Sequence, residues 1–280
     1  MRLGGSRRSG NIEDRRGMGM GRGAGIGVGT VVLLIVGYFM GVNPATLLNL
    51  ADVTEQGAQP PAPIGTPGDA EGDFVAAVLG ETEDVWSAIF SAQGAQYQVP
   101  TLTLFTGRVG SACGTASAAA GPFYCPGDHK VYIDLDFFRQ LDTEFGAPGD
   151  FARAYVIAHE VGHHVQTLTG ASQRVQQIRE RAPQNANRAQ MALELQADCY
   201  AGLWAQRANS ARQILEAGDV EEGLAAAAAV GDDTLQRRVQ GTVVPDSFTH
   251  GSAEQRTRWF RRGLESGDPG RCNTFEAGEL

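Results

Sequence analysis

Residues 154–168 read Ala-Tyr-Val-Ile-Ala-His159-Glu160-Val-Gly-His163-His164-Val-Gln-Thr-Leu, and no other stretch limits the fold as much. On an α-helix, His159 and His163 project from one face a turn apart. That spacing lets two imidazoles share one Zn²⁺, with Glu160 beside the open coordination positions. Asp150 can cap the start of such a helix and Gly170 can end it. Val156, Ile157, Val161, Val165 and Leu168 make it apolar on both flanks, so it belongs inside a domain. Two histidines and a glutamate are costly to bury there unless something binds them.

Two imidazoles do not hold a metal alone, and a third ligand must come from elsewhere. A third histidine six residues after the second, preceded by glycine, is excluded, because those positions are Thr169 and Gln166. Leu193-Glu194-Leu-Gln-Ala-Asp198-Cys199-Tyr200-Ala201-Gly202 offers a glutamate instead. Glu194 and Asp198 share a face of an otherwise apolar helix. Glu194 is read as the third ligand, and Asp198 as the acceptor for the free N–H of a ligating histidine, His159 in the first instance. His164, about 100° round the helix from His163, is read as structural.

The remaining chemistry needs a donor for the oxygen that gains charge when water attacks a carbonyl. His250 is the first candidate, in a loop before a helix that Ser252 and Gln255 would open as a capping box. Tyr200 and Tyr132 are weaker candidates. Arg256, in the same helix, is expected to pair with Asp198 or Glu194. The strand over 130–135 is a candidate edge on which an extended peptide could lie. His129 has no partner by spacing.

Charge and hydropathy divide the chain. Residues 1–23 carry six arginines against Glu13 and Asp14, which leaves −13 of the net −9 to the rest. An acidic body argues against a nucleic-acid partner. The basic, Gly-rich segment 1–23 is expected to be a disordered cytoplasmic tail. Residues 24–42 hold no charge and would span about 28 Å as a helix, the length of one transmembrane crossing. By the positive-inside rule the N-terminus would stay in the cytoplasm and everything after the span would lie outside. Residues 43–72, with Pro60, Pro61, Pro63 and Pro67, read as a spacer, and 73–280 as the folded domain. Four cysteines, Cys113, Cys125, Cys199 and Cys272, form no C-x-x-C pair and fit two disulfides with three possible connectivities. Cys113–Cys125 with Cys199–Cys272 is favoured, because the first pair closes a short Gly/Pro-bounded loop.

Helical spacing covers 73–90, then about 151–169, 187–208 and 219–230, with a short helix beginning over 137–141. Strands fall at 101–105 and 130–135. Strands first and helices after suggest an α+β domain rather than a βαβ repeat.

His-Glu-Val-Gly-His-His, Glu-Leu-Gln-Ala-Asp-Cys-Tyr-Ala-Gly, Gly-Pro-Phe-Tyr-Cys-Pro and Thr-His-Gly-Ser-x-Glu-Gln-Arg, from about Gly110 to Thr274, together resemble the bacterial putative neutral zinc metallopeptidases. The resemblance implies a zincin-like, gluzincin-type domain with a small sheet, a glutamate third ligand and peptide or protein substrates. It also matches a layout of membrane anchor and proline spacer. The expected protein is therefore a single-pass, membrane-anchored zinc metalloendopeptidase with its catalytic domain extracytoplasmic. Two rivals stand beside it. One is a protease-shaped module that binds a partner without catalysis. The other is a structural metal site closed by a fourth ligand such as His164 or Cys199.

Overall fold

A computed structural model of the chain describes residues 1–17, 62–117 and 121–277. The described residues include six short strands and eight α-helices. The strands are β1 (Ile12–Asp14), β2 (Thr101–Phe105), β3 (Arg108–Ser111), β4 (Gly114–Ser117), β5 (Phe123–Cys125) and β6 (Lys130–Asp134). The helices are α1 (Ala70–Ala92), α2 (Asp136–Thr143), α3 (Asp150–Leu168), α4 (Ala171–Arg181), α5 (Ala186–Arg212), α6 (Asp219–Ala229), α7 (Asp232–Gln240) and α8 (Ala253–Ser266).

These elements correct the α+β expectation, because the domain is mostly helical with small sheets. Among the described residues no strand exceeds 5 residues, whereas α1 and α5 run 23 and 27. The four-stranded sheet has the order β1-β2-β6-β5, and β3 and β4 form a separate hairpin. The most extensive contacts are α5 with α8, α5 with α3 and α3 with α6, so helix-on-helix packing carries most of the core, with Leu102, Leu104, Val131 and Ile133 of the sheet packed into it. The predicted span at 24–42 lies outside the described residues. Among those that are described, no helix is long and apolar enough to cross a membrane.

The N-terminal segment departs furthest from its sequence reading. Residues 1–17 are packed rather than disordered. Ile12 is fully buried, and β1 pairs parallel with β2 in the register Ile12↔Leu102, Glu13↔Thr103, Asp14↔Leu104. Its arginines meet acids distant in sequence: Arg7 reaches Glu83 and Asp84, Arg8 reaches Asp73, and Arg16 reaches Asp69. The buried carboxylate of Glu13 takes Lys130 at 2.6 Å. A segment that looks too charged to fold alone is thus neutralised by α1, which composition cannot foresee. The β1–β2 ladder ties this segment to the rest of the domain.

Helix α3 packs against α1, α5 and α6, which explains its apolar flanks. Its N-cap is Gly149, not Asp150, and the first free N–H groups are served by α6, where Glu222 Oε2 accepts from Phe151 N–H at 3.0 Å. Helices α5 and α8 touch backbone to backbone. A Cβ on Gly202 would lie 2.0 Å from the Phe260 carbonyl oxygen, and one on Gly263 would lie 1.9 Å from that of Cys199. Only glycine permits this approach, and it brings Arg256 of α8 against Asp198 of α5. Disulfides join Cys113 to Cys125 and Cys199 to Cys272, the favoured pairing.

Candidate metal centre

Helix α3 presents His159, Glu160 and His163, and the crossing helix α5 presents Glu194 and Asp198. Glu194 Oε2 lies 3.3 Å from His159 Nε2 and 3.4 Å from His163 Nε2. Ligand atoms 2.0–2.2 Å from one tetrahedral zinc ion are separated by roughly 3.3–3.5 Å. The three side chains therefore fit zinc in both chemistry and spacing. Among the described residues this is one of two His/Cys/Asp/Glu clusters compact enough for a cation, and the one that contains imidazole.

The charges respond to that convergence. Burial pushes the Glu194 carboxyl up, but His163 and His159 outweigh it and hold the group well below the usual carboxylate range. Burial raises the Glu160 carboxyl, and the two imidazoles only partly offset this. Glu160 does not join the ligand cluster and lines the adjoining cavity.

Behind His159, Asp198 Oδ1 lies 2.9 Å from Nδ1. Asp198 is fully buried and held from three sides. Arg256 donates Nε–H to Oδ2 at 2.8 Å and Nη2–H to Oδ1 at 2.9 Å, and the Tyr155 hydroxyl also donates to Oδ1. Of the two acids offered as partners for Arg256, the fold thus selects Asp198.

His250 lies in the loop before α8, whose start carries the capping box of Ser252 and Gln255. Asp232, at the start of α7, positions it. Oδ1 is 3.0 Å from His250 Nδ1, while Oδ2 accepts the backbone N–H groups of Thr249, His250 and Gly251. The hydrogen bond to Asp232 raises the imidazole pKa above its ordinary value. The half-exposed ring lines a cavity of about 960 Å³ together with His159, Glu160, His163, Glu194 and Arg256. Tyr200 instead packs edge-on against Trp86, and the Tyr132 hydroxyl donates to Asp128; neither lines this cavity.

His164 turns away from the ligand face. Its Nε2–H donates to the Gln98 carbonyl at 2.6 Å, and Nδ1 faces the Tyr124 hydroxyl at 3.1 Å. His129 stacks edge-on against it. Cys199 is in a disulfide. Both fourth ligands proposed for a closed structural site are thus engaged elsewhere.

The strand over 130–135 is not an edge, because β6 lies between β2 and β5. The edges of the sheet are β1 and β5, and Phe123 and Tyr124 of β5 line the cavity. Tyr155, Gln166 and Asp232 were not singled out by sequence reasoning. Tyr155 and Gln166 sit one turn before His159 and three residues after His163, a helical spacing that could have flagged them. No local signal marks Asp232, 18 residues from His250.

The family model described as "Putative neutral zinc metallopeptidase" matches residues 1–275. "Uncharacterized protein YpfJ" of Escherichia coli K12 is 46% identical over 287 residues, covering 98% of this chain and 99% of that protein. "Uncharacterized protein Rv2575" of Mycobacterium tuberculosis H37Rv is 45% identical over 216 residues, 74% of this chain and 71% of its own length. No solved structure matches the chain.

Proposed function

From the premise that this chain belongs to the putative neutral zinc metallopeptidase family, we propose that it is a zinc endopeptidase working in the cavity beside His159, His163 and Glu194. One observation carries the reading: two imidazole nitrogens stand 3.3 and 3.4 Å from one carboxylate oxygen. Bound there, zinc supplies a Lewis acid for a carbonyl and brings the pKa of water toward neutrality.

The chain's own residues do the rest. Glu160 takes a proton from the water that attacks the scissile carbonyl and delivers it to the departing amine. Its raised pKa suits a group that must accept and then release a proton. His250, protonated and held by Asp232, donates to the carbonyl oxygen as that oxygen gains charge. An extended peptide adds to the edge of β5, which pairs with no further strand among the described residues, with side chains reaching the cavity wall at Phe123 and Tyr124. Two disulfides support an oxidising compartment outside the cytoplasm.

Dialysis against o-phenanthroline is expected to abolish casein hydrolysis, and stoichiometric zinc to restore it. Hydrolysis that survives complete metal removal defeats the proposal.

The His250 assignment predicts a pH effect. Its folded pKa is raised, so the donor proton is present below that pKa and activity is lost as pH rises through it. Asp232→Asn removes the charge that holds the proton. The alkaline limb of kcat/KM should then move down toward the free imidazole value of about 6.5. An alkaline limb that stays in place in Asp232→Asn removes His250 from this role.

A further inference from the structure

The two histidines differ in what stands behind them. Behind His159 is a carboxylate, whereas behind His163 is a neutral amide. Gln166, fully buried on α3, holds Oε1 2.8 Å from His163 Nδ1. Which end of that amide faces the ring is decided on its far side. Gln166 Nε2 donates to the Leu193 carbonyl at 2.6 Å and to Gln196 Oε1 at 3.1 Å. Gln196, also buried, is oriented in turn by donating its Nε2–H to the carbonyl of Cys272 at 3.0 Å. Carbonyl oxygens only accept, so the direction of every bond in this chain is determined. It runs from the Cys272 carbonyl, tied to α5 by the Cys199 disulfide, through both amides to the imidazole. An acceptor at Nδ1 makes that nitrogen the protonated one and leaves the Nε2 lone pair facing Glu194.

We propose that Gln166 and Gln196 are positioning residues for His163, a neutral relay that sets its tautomer and ring angle from the disulfide-held C-terminal turn. The inference rests on the metal reading above. A carboxylate in place of Gln166 would orient the ring equally well, but it would bury another negative charge beside Glu160 and Glu194 without its own cation. The amide orients without adding charge.

The test is zinc affinity of the full chain by chelator competition, for the parent, Gln166→Met and Thr274→Val. The last removes a different buried hydrogen bond to α5, from the Thr274 hydroxyl to the Ala192 carbonyl, and controls for general loosening. Gln166→Met should bind zinc about 10- to 100-fold more weakly, and Thr274→Val should match the parent. A second readout needs no variant to fold. In the zinc-loaded parent, histidine-labelled NMR should find the His163 Nδ1 proton slow to exchange with solvent and shifted downfield by its hydrogen bond to the Gln166 amide oxygen. Parent-like affinity in Gln166→Met, an equal loss in Thr274→Val, or a His163 Nδ1 proton that exchanges freely and lacks the hydrogen-bond shift each overturns the relay. A parent chain that takes up no zinc overturns the metal reading itself, which distinguishes the two failures.

Discussion

Glu160→Ala is expected to slow peptide hydrolysis by about 10²- to 10⁴-fold, the range for losing a positioned general base, while zinc content stays at the parent level. The two halves of this result come from different parts of the geometry. The ligand atoms that converge are those of His159, His163 and Glu194, so removing Glu160 takes nothing from the donor set. Glu160 is 7% exposed and its carboxyl is pushed up by burial, so alanine removes a group that the fold desolvates at a cost. The melting temperature should therefore hold or rise. Metal analysis and casein cleavage on the same preparation decide it. Parent-like cleavage would sink the mechanism, and lost zinc would mean that Glu160 is a ligand instead.

Arg256→Met is the variant with the largest expected effect on stability. Arg256 and Asp198 are 4% and 0% exposed and joined by two hydrogen bonds. Methionine fills much of the arginine volume but strands the Asp198 carboxylate without its cation. Breaking a buried pair from one side costs about 3–5 kcal/mol. In a chain of this size that lowers the melting temperature by roughly 6–20 °C. Adding Asp198→Leu should recover much of the loss, because an apolar pair can replace a buried ion pair. Zinc affinity should stay about 10- to 100-fold down in the double variant, since His159 has lost the acceptor on its Nδ1. Calorimetry and chelator competition separate these two consequences. A single variant that melts with the parent would show that Asp198 does not depend on Arg256.

The distance over which a contact acts explains what was legible beforehand. His159 and His163, Glu194 and Asp198, and the capping box at Ser252 are all relations within one or two helical turns, so spacing alone exposes them. The fold class misled because the order of strands and helices along the chain says nothing about which of them pack on one another. The sheet is small, and the helices bury one another. Residues 1–17 misled for the opposite reason. Their arginines look solvated until the acids of α1, some 65 to 77 positions away, are brought alongside.

By itself, then, the sequence determined which side chains could meet a metal, because helical periodicity places them on two known faces. It did not contain the meeting. That two faces cross with Glu194 between the imidazoles, that Arg256 chooses Asp198, and that an amide relay reaches His163 from Cys272 were decided only by tertiary structure. The physical reason is that a buried polar group takes whatever partner the packing delivers, and packing is a property of the whole core. Here the backbone contact of α5 with α8 at Gly202 and Gly263 sets where those partners stand.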